Sequence, residues 1–277
     1  TVKSATGKLR IVQVAFLTAV FSLPSPASAA FVPENTFLGE ALPLRFADGL
    51  SPWNRPAALP GNSQEAMVSF GVCRPFAINE LALGYAGGGY SSNRWGVSGA
   101  VDSWGWEVYR ESRTTLAIGR KMGKRWSLGT SIRTKWVQIE HFRSSGVADL
   151  TLDVCANPVA GLRVYGQVTG IARNNWGEAL LNTPRSVLCA ADWKVGLVDL
   201  RGAVTRETSN VHTTDVSASF RFYPWLSFTV ARASGPAAHL FGVEIGRSHA
   251  AAYSLSLHPV LPATQTIRFR ESWRRPD

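Results

Sequence analysis

Residues 216–234, VSASFRFYPWLSFTVARAS, decide the fold of this chain. Val216, Ala218, Phe220 and Phe222 fall on one face of an extended strand, and Ser217, Ser219, Arg221 and Tyr223 fall on the other. Pro224 has no amide hydrogen for a ladder and belongs at a turn, from which Trp225 opens a returning strand. The stretch is a β-hairpin with one apolar, aromatic face and one face of Ser and Arg. Such a hairpin borders either a protein core or lipid, and in the second case its polar side turns into a lumen.

The same pattern extends outward from this hairpin. Extended runs separated by Gly, Pro, Asn and Ser are expected at 66–74, 79–87, 93–102, 105–119, 124–140, 148–156, 161–171, 185–194, 197–207, 212–223, 225–233, 239–246, 249–257 and 264–273. Leu150, Leu152 and Val154 alternate with Thr151, Asp153 and Cys155, and Tyr253, Leu255 and Leu257 alternate with Ser254, Ser256 and His258. Alternation over short-linked strands indicates an antiparallel meander rather than βαβ units. The runs have the length of about 9–11 residues that a tilted strand needs to cross a bilayer. Trp104, Trp106, Trp126, Trp136, Trp176, Trp193, Tyr223, Trp225 and Trp273 fall near run ends, where an interfacial girdle would place them. A soluble all-β protein that packs these aromatics into its core is the alternative.

The N-terminus weighs on that choice. Lys3, Lys8 and Arg10 precede an apolar run from Ile11 to Leu23, then Pro24, Pro26 and the small-residue site Ala27-Ser28-Ala29. This is the order of a secretory signal peptide, with cleavage expected after Ala29. The apolar run is shorter than the roughly 20 residues of a spanning helix, which argues against a membrane anchor. The formal charge of +10 less the three cations of this segment leaves +7 on the mature chain. Pro33, Pro43, Pro52, Pro56 and Pro60 break up the next stretch, which suits neither a central strand nor a long helix.

The expected fold is all-β: an antiparallel up-and-down transmembrane β-barrel of about 14 strands with an N-terminal irregular or partly helical plug-like segment. The expected division is a signal peptide (1–29), a plug or hatch segment (30–65), the barrel (66–273) and a tail (274–277). Cys73, Cys155 and Cys189 are odd in number and lack metal-type spacing, so they define neither a disulfide framework nor a zinc site.

Several short motifs resemble one family. Ser51-Pro52-Trp53-Asn54-Arg55-Pro56-Ala57-Ala58-Leu59 resembles the "WNPAGL" segment near the start of FadL-like outer-membrane barrels, especially the PorV/PorQ branch. Ser69 to Phe76 is similar to the first strand and turn of that branch. Tyr253 to Leu261, followed by Thr264 to Phe269, is similar to its last hairpin, usually "YALSTHPxLGxTHRxSL". Arg55 interrupts the Asn-Pro-Ala triplet, Pro262 replaces a Gly-like turn position, and the chain runs past Trp273 by four residues. The resemblance implies fourteen strands with an N-terminal segment folded into the lumen, and places Trp53, Asn54, Pro56, Ala57 and Leu59 in the plug. Within the family some members pass hydrophobic molecules and others serve type IX protein secretion.

No H-E-x-x-H, G-x-S-x-G or P-loop is present, and the five histidines are scattered, so an enzyme, a cofactor and a metal are not expected. The candidate lumen residues are Arg133, Asp153, Arg201, Arg221, Ser254, Ser256, His258 and Arg268. Asp153, Asp192, Asp199, Glu207 and Glu244 are expected to pair with Arg133, Arg201, Arg206 and Arg221 across such an interior. The basic residues are spread singly, without the interleaved stripe of a nucleic-acid track. A lumen of positive potential is one reading of them, and pairing with lumenal acids and lipid headgroups is the other. The expected partners are outer-membrane lipid, a hydrophobic or anionic amphipathic solute, and a secretion-system or other envelope protein, with no nucleic acid. The functional expectation is passage or binding of small hydrophobic or amphipathic solutes in the outer membrane of a Gram-negative-type bacterium. An accessory barrel for secretion or scaffolding is the first alternative, and a secreted soluble all-β binding domain the second.

Overall fold

The computed structural model describes residues 55–274, except 62–63, 80–81, 107, 142–143, 177–184, 208–211, 235–236, 258 and 260–261. The expected signal peptide, Trp53, Asn54, His258 and most of the expected tail lie outside the described residues. Fourteen strands follow a 3-10 turn at Pro56–Ala58: β1 Glu65–Arg74, β2 Leu83–Ser91, β3 Trp95–Trp106, β4 Tyr109–Lys121, β5 Trp126–Ile139, β6 Ser145–Val159, β7 Leu162–Trp176, β8 Ser186–Val195, β9 Val198–Glu207, β10 His212–Tyr223, β11 Leu226–Ser234, β12 Ala237–Gly246, β13 His249–Leu257 and β14 Thr264–Arg274. Each pairs with its neighbours in the chain, and β1 closes antiparallel onto β14. Closure gives every strand two partners and leaves no open edge, as a sheet in a bilayer requires.

The alternation sorts residues as it would in a soluble sheet, with the sense reversed. On β1, Val68, Phe70 and Val72 face outward and are exposed, while Ser69 and Cys73 face inward and are buried. On β14, Ile267 and Phe269 face outward while Thr266, Arg268 and Arg270 are buried. The register sets Phe70 beside Phe269, with stacked rings 5.4 Å apart. Leu116, 63% exposed, and Phe222, 62% exposed, belong to a continuous outer belt of large apolar side chains. At about 25 cal/mol per Å² of apolar surface, such a belt is unfavourable in water and favourable in lipid. The inverted sorting excludes the soluble sandwich.

The deciding hairpin is β10–β11. Ser217 is buried inside and Phe222 lies on the outer wall, as the alternation predicts. Trp225 belongs to the turn rather than to the second strand, which starts at Leu226; its ring stacks on Tyr223 at 5.4 Å across a register shift at Arg221/Tyr223. Most other boundaries fall within a few residues of expectation. The largest shift is in β2, expected at 79–87, because Pro75–Ala77 turns with Phe76 and Ala77 at positive φ and delays the strand. β6 and β7 also run longer than expected; their ladder carries a register shift in which Asp149–Thr151 faces Thr169–Arg173, and Asn174 and Asn175 stay paired beyond it.

The two ends of the barrel differ. The β2–β3, β4–β5, β6–β7, β8–β9, β10–β11 and β12–β13 connections are tight and share an end with both termini. Around that end Tyr90, Trp95, Trp126, Trp193, Tyr223, Trp225 and Trp273 are exposed on the outer wall, forming the expected girdle. At the loop end Trp136 and Trp176 make a tilted pair at 5.8 Å.

Candidate functional site: a segment docked on a glycine row inside the barrel

The lumen is built from the inward half of each alternation. Near the turn end, Gly96 on β3 is directly paired with Gly119 on β4, which is paired with Gly129 on β5. Gly129 is in turn paired with Asp153 on β6. The three glycines lie on successive strands, and the registers of the two hairpins line them up as a row without side chains.

The Pro56–Ala58 turn lies on that row. A Cβ on Gly119 would overlap the Pro56 carbonyl oxygen, one on Gly129 the Ala57 amide nitrogen, and one on Gly96 the Leu59 Cβ. The segment comes so close that only glycine admits it. Polar groups then fasten it: the Ala57 amide donates to the Asp153 carboxylate at 3.0 Å, and the Ser127 hydroxyl donates to the Ala57 carbonyl at 2.6 Å. Both fastenings are buried, where a missing partner costs more than at the surface. Arg55 extends the contact around the wall, stacking over Tyr165 of β7 at 4.5 Å and lying 3.8 Å from Asp192 of β8. Gly61 closes the other side by donating its amide to the Ser92 carbonyl at 3.1 Å.

Beside the docked turn the inner wall changes character. Cys155, Tyr165, Leu188, Ala190 and Ala203 form an apolar cluster against which Ala57 and Ala58 pack. Charged residues border it. Arg201 and Asp192 are directly paired across β8 and β9, 3.6 Å apart, and Arg163 is paired with Asp192 across β7 and β8. The site thus joins an apolar surface to guanidinium groups under the docked segment.

Elsewhere the inner wall carries ion pairs between neighbouring strands. On the opposite wall Arg268 and Arg270 of β14 reach over Ala252 of β13 to Glu244 of β12, at 2.7 and 3.1 Å. Toward the loop end Arg113 pairs with Asp102 at 3.0 Å and Lys135 with Glu111 at 3.1 Å, while Tyr109 donates to Glu111. Among the described residues no group of His, Cys, Asp and Glu gathers as a metal ion would need. All three cysteines are free, with Cys189 exposed and the others buried.

The structure places Arg133, Asp153, Arg201, Arg221, Ser254, Ser256 and Arg268 on the inner wall. They do not form one site. Asp153 and Arg201 belong with Pro56, Ala57 and Leu59 at the docked segment; Arg133 stands across from Asp149, Arg221 lies 3.9 Å from Asp199, and Arg268 and Ser254 line the far wall. One expectation is corrected. Arg206 is exposed on the outer wall, because the inward residues of β9 are Asp199, Arg201, Ala203, Thr205 and Glu207. Inward arginines with acids beside them, among them Arg201 with Asp192, Arg221 with Asp199 and Arg268 with Glu244, follow the pairing reading. The sequence reading missed the glycine row, Ser127 and Tyr165; the available signal was a glycine at an inward position on each of three adjacent runs.

No family model and no curated relative matches the sequence. The chain is similar in structure to the Pseudomonas putida toluene transporter TodX, with 6% identity and a TM-score of 0.59 over 82% of this chain and 94% of that one. It is similar to a Pseudomonas aeruginosa FadL homologue, with 10% identity and a TM-score of 0.54 over 91% of this chain and 98% of that one. At such identities the likeness is one of fold.

Proposed function

We propose that this barrel passes small amphipathic solutes across the outer membrane of a Gram-negative-type bacterium, and that the segment around Pro56–Ala58 is its hatch. The observation that carries this reading is the docked turn covering an apolar cluster bordered by Arg163 and Arg201. Uncovered, that wall offers an apolar surface to a hydrocarbon body and guanidinium groups to an anionic head, which is the division of labour an amphipathic solute needs. The structural neighbours include proteins named as a toluene transporter and a FadL homologue, which agrees with the apolar part of this assignment.

The test is solute influx into liposomes carrying either the intact chain or a chain lacking residues 30–61. Octanoate influx is expected to rise several-fold on deletion, and a neutral sugar of similar size is expected to gain less. Equal and unchanged influx of both solutes would overturn the reading. An envelope protein recovered in stoichiometric amount alongside unchanged influx would move the assignment to an accessory barrel.

A further inference from the structure

Positive charge is unevenly distributed around the turn end. Arg94, Arg120, Lys124 and Arg125 are exposed on the β2–β3 and β4–β5 connections and their flanks. In this sector residues 82–101, 112–139 and 154–176 contain no Asp or Glu, and the acids of β3, β4 and β6 that lie outside these ranges, Asp102, Glu111, Asp149 and Asp153, are on the inner wall. The connections are also held together, because the Lys121 amide donates to the Arg94 carbonyl at 2.9 Å and the Asn157 amide to the Arg125 carbonyl at 2.8 Å.

The outer wall directly below the cations is apolar and aromatic. Trp95, Arg120 and Leu128 are side-by-side partners on β3, β4 and β5, and the Arg120 guanidinium lies over the Trp95 ring at 4.7 Å. The next row toward the middle of the barrel contains Val97 and Ile118, both exposed, and Met122 and Trp126 flank the cations. From rim to belt the order is guanidinium and ammonium groups, then indole rings, then aliphatic side chains. A lipid presents the same order as phosphate, glycerol ester and acyl chain.

We infer that this sector is a binding site for anionic glycerophospholipid, with the phosphate held by Arg94, Arg120, Lys124 and Arg125 and the acyl chains lying on Val97, Ile118 and Leu128. Tight connections and termini mark the periplasmic end of such barrels, so the sector meets the phospholipid leaflet rather than the outer one. Charge complementarity selects the headgroup, since cations close to a membrane surface each add to the attraction for anionic lipid. Stacking on Trp95 holds Arg120 at the wall instead of leaving it free in water. The inference rests on the membrane-barrel part of the proposed function and not on solute passage.

Native mass spectrometry of the whole protein in non-ionic detergent tests it, with phosphatidylglycerol, phosphatidylcholine of the same acyl chains, and lipid A as probes. The intact chain is expected to retain phosphatidylglycerol in preference to phosphatidylcholine. The variant R94Q/R120Q/K124Q/R125Q is expected to lose at least about tenfold in phosphatidylglycerol retention. A variant neutralised elsewhere on the same end, K194Q/R247Q, is expected to keep it, and heat-modifiable gel mobility reports whether each variant is folded. Equal retention of the two glycerophospholipids by the intact chain overturns the site without recourse to any variant, as does undiminished retention by the folded fourfold variant. Lipid A retained more tightly than phosphatidylglycerol would overturn the assignment to glycerophospholipid. The solute-influx assay is unaffected by these outcomes, so the two readings fail separately.

Discussion

The two walls of the lumen solve one problem in opposite ways. The β3–β5 wall withdraws its side chains at Gly96, Gly119 and Gly129 and is filled by backbone from the N-terminal side. The β12–β14 wall keeps long side chains and fills its own space with the Arg268–Glu244–Arg270 cluster. Both arrangements pair polar groups inside a narrow interior, as burial demands. They differ in what can leave. Cover on the glycine wall is a separate stretch of chain held by two buried hydrogen bonds, the Gly61–Ser92 hydrogen bond, the contacts of Arg55 with Tyr165 and Asp192, and shape. Cover on the charged wall is part of the strands themselves. Barrel stability should therefore be concentrated on one wall and gating on the other.

The comparison can be broken most sharply at Glu244. Glu244→Ala leaves two buried guanidinium groups without their shared carboxylate, and urea unfolding from lipid vesicles should show a loss of about 3–5 kcal/mol. Solute influx through the surviving folded barrel should remain that of the intact chain; a matching rise in influx would show that the two walls are not separable.

Gly129→Leu probes the other wall. Its side chain would enter the space of Pro56 and Ala57, at a cost of about 1–3 kcal/mol that undocking of the segment relieves. Influx should rise toward that of the chain lacking 30–61, with the unfolding midpoint nearly unchanged because distant sites contribute independently. A large fall in barrel stability without increased influx would contradict the division.

Asp153→Asn is subtler. The amide still offers an oxygen to the Ala57 amide hydrogen but removes the charge that strengthens this bond, weakening docking by about 1 kcal/mol. Maleimide labelling of an Ala58→Cys reporter should accelerate relative to the reporter alone. Equal labelling rates would assign docking to shape rather than to the carboxylate.

The smallest effect is expected where neither wall is involved. Arg274 and Glu65 pair at 3.4 Å at the rim, with the arginine side chain 68% exposed. Glu65→Gln should shift the unfolding free energy by less than about 1 kcal/mol, since exposed pairs pay entropy and are screened. A shift as large as that of Glu244→Ala would show that the β1–β14 closure, and not the charged wall, limits stability.

Much of the frame was legible in the chain. Val216 to Phe222 displays its own alternation, and Pro224 supplies its own turn, because side-chain direction in a strand depends on nothing beyond adjacent residues. The girdle was legible for the same reason, as Trp126 and Trp193 sit next to turn residues. The start of β2 was not, since Phe76 and Ala77 take positive φ that no glycine announces. The outward face of Arg206 was legible, since it shares the parity of Val198, Leu200 and Val204 and opposes that of Asp199, Arg201 and Glu207. Pro56, Ala57 and Leu59 were expected in a plug on motif resemblance, but nothing local says where a plug docks.

The sequence by itself determined the strands, their approximate number and the two faces of most of them, because a period of two is a local property. The tertiary structure alone decided the register. Gly96, Gly119 and Gly129 form a row, and Arg268 reaches Glu244 past Ala252, only because the β3–β4–β5 and β12–β13–β14 ladders take these registers and bring residues of three strands side by side. A slip of one residue in the β3–β4 or β4–β5 ladder would turn a glycine of the row toward the lipid and bring a side chain into the path of the segment. Closure is a condition on all fourteen strands together, so no single stretch of sequence can state it.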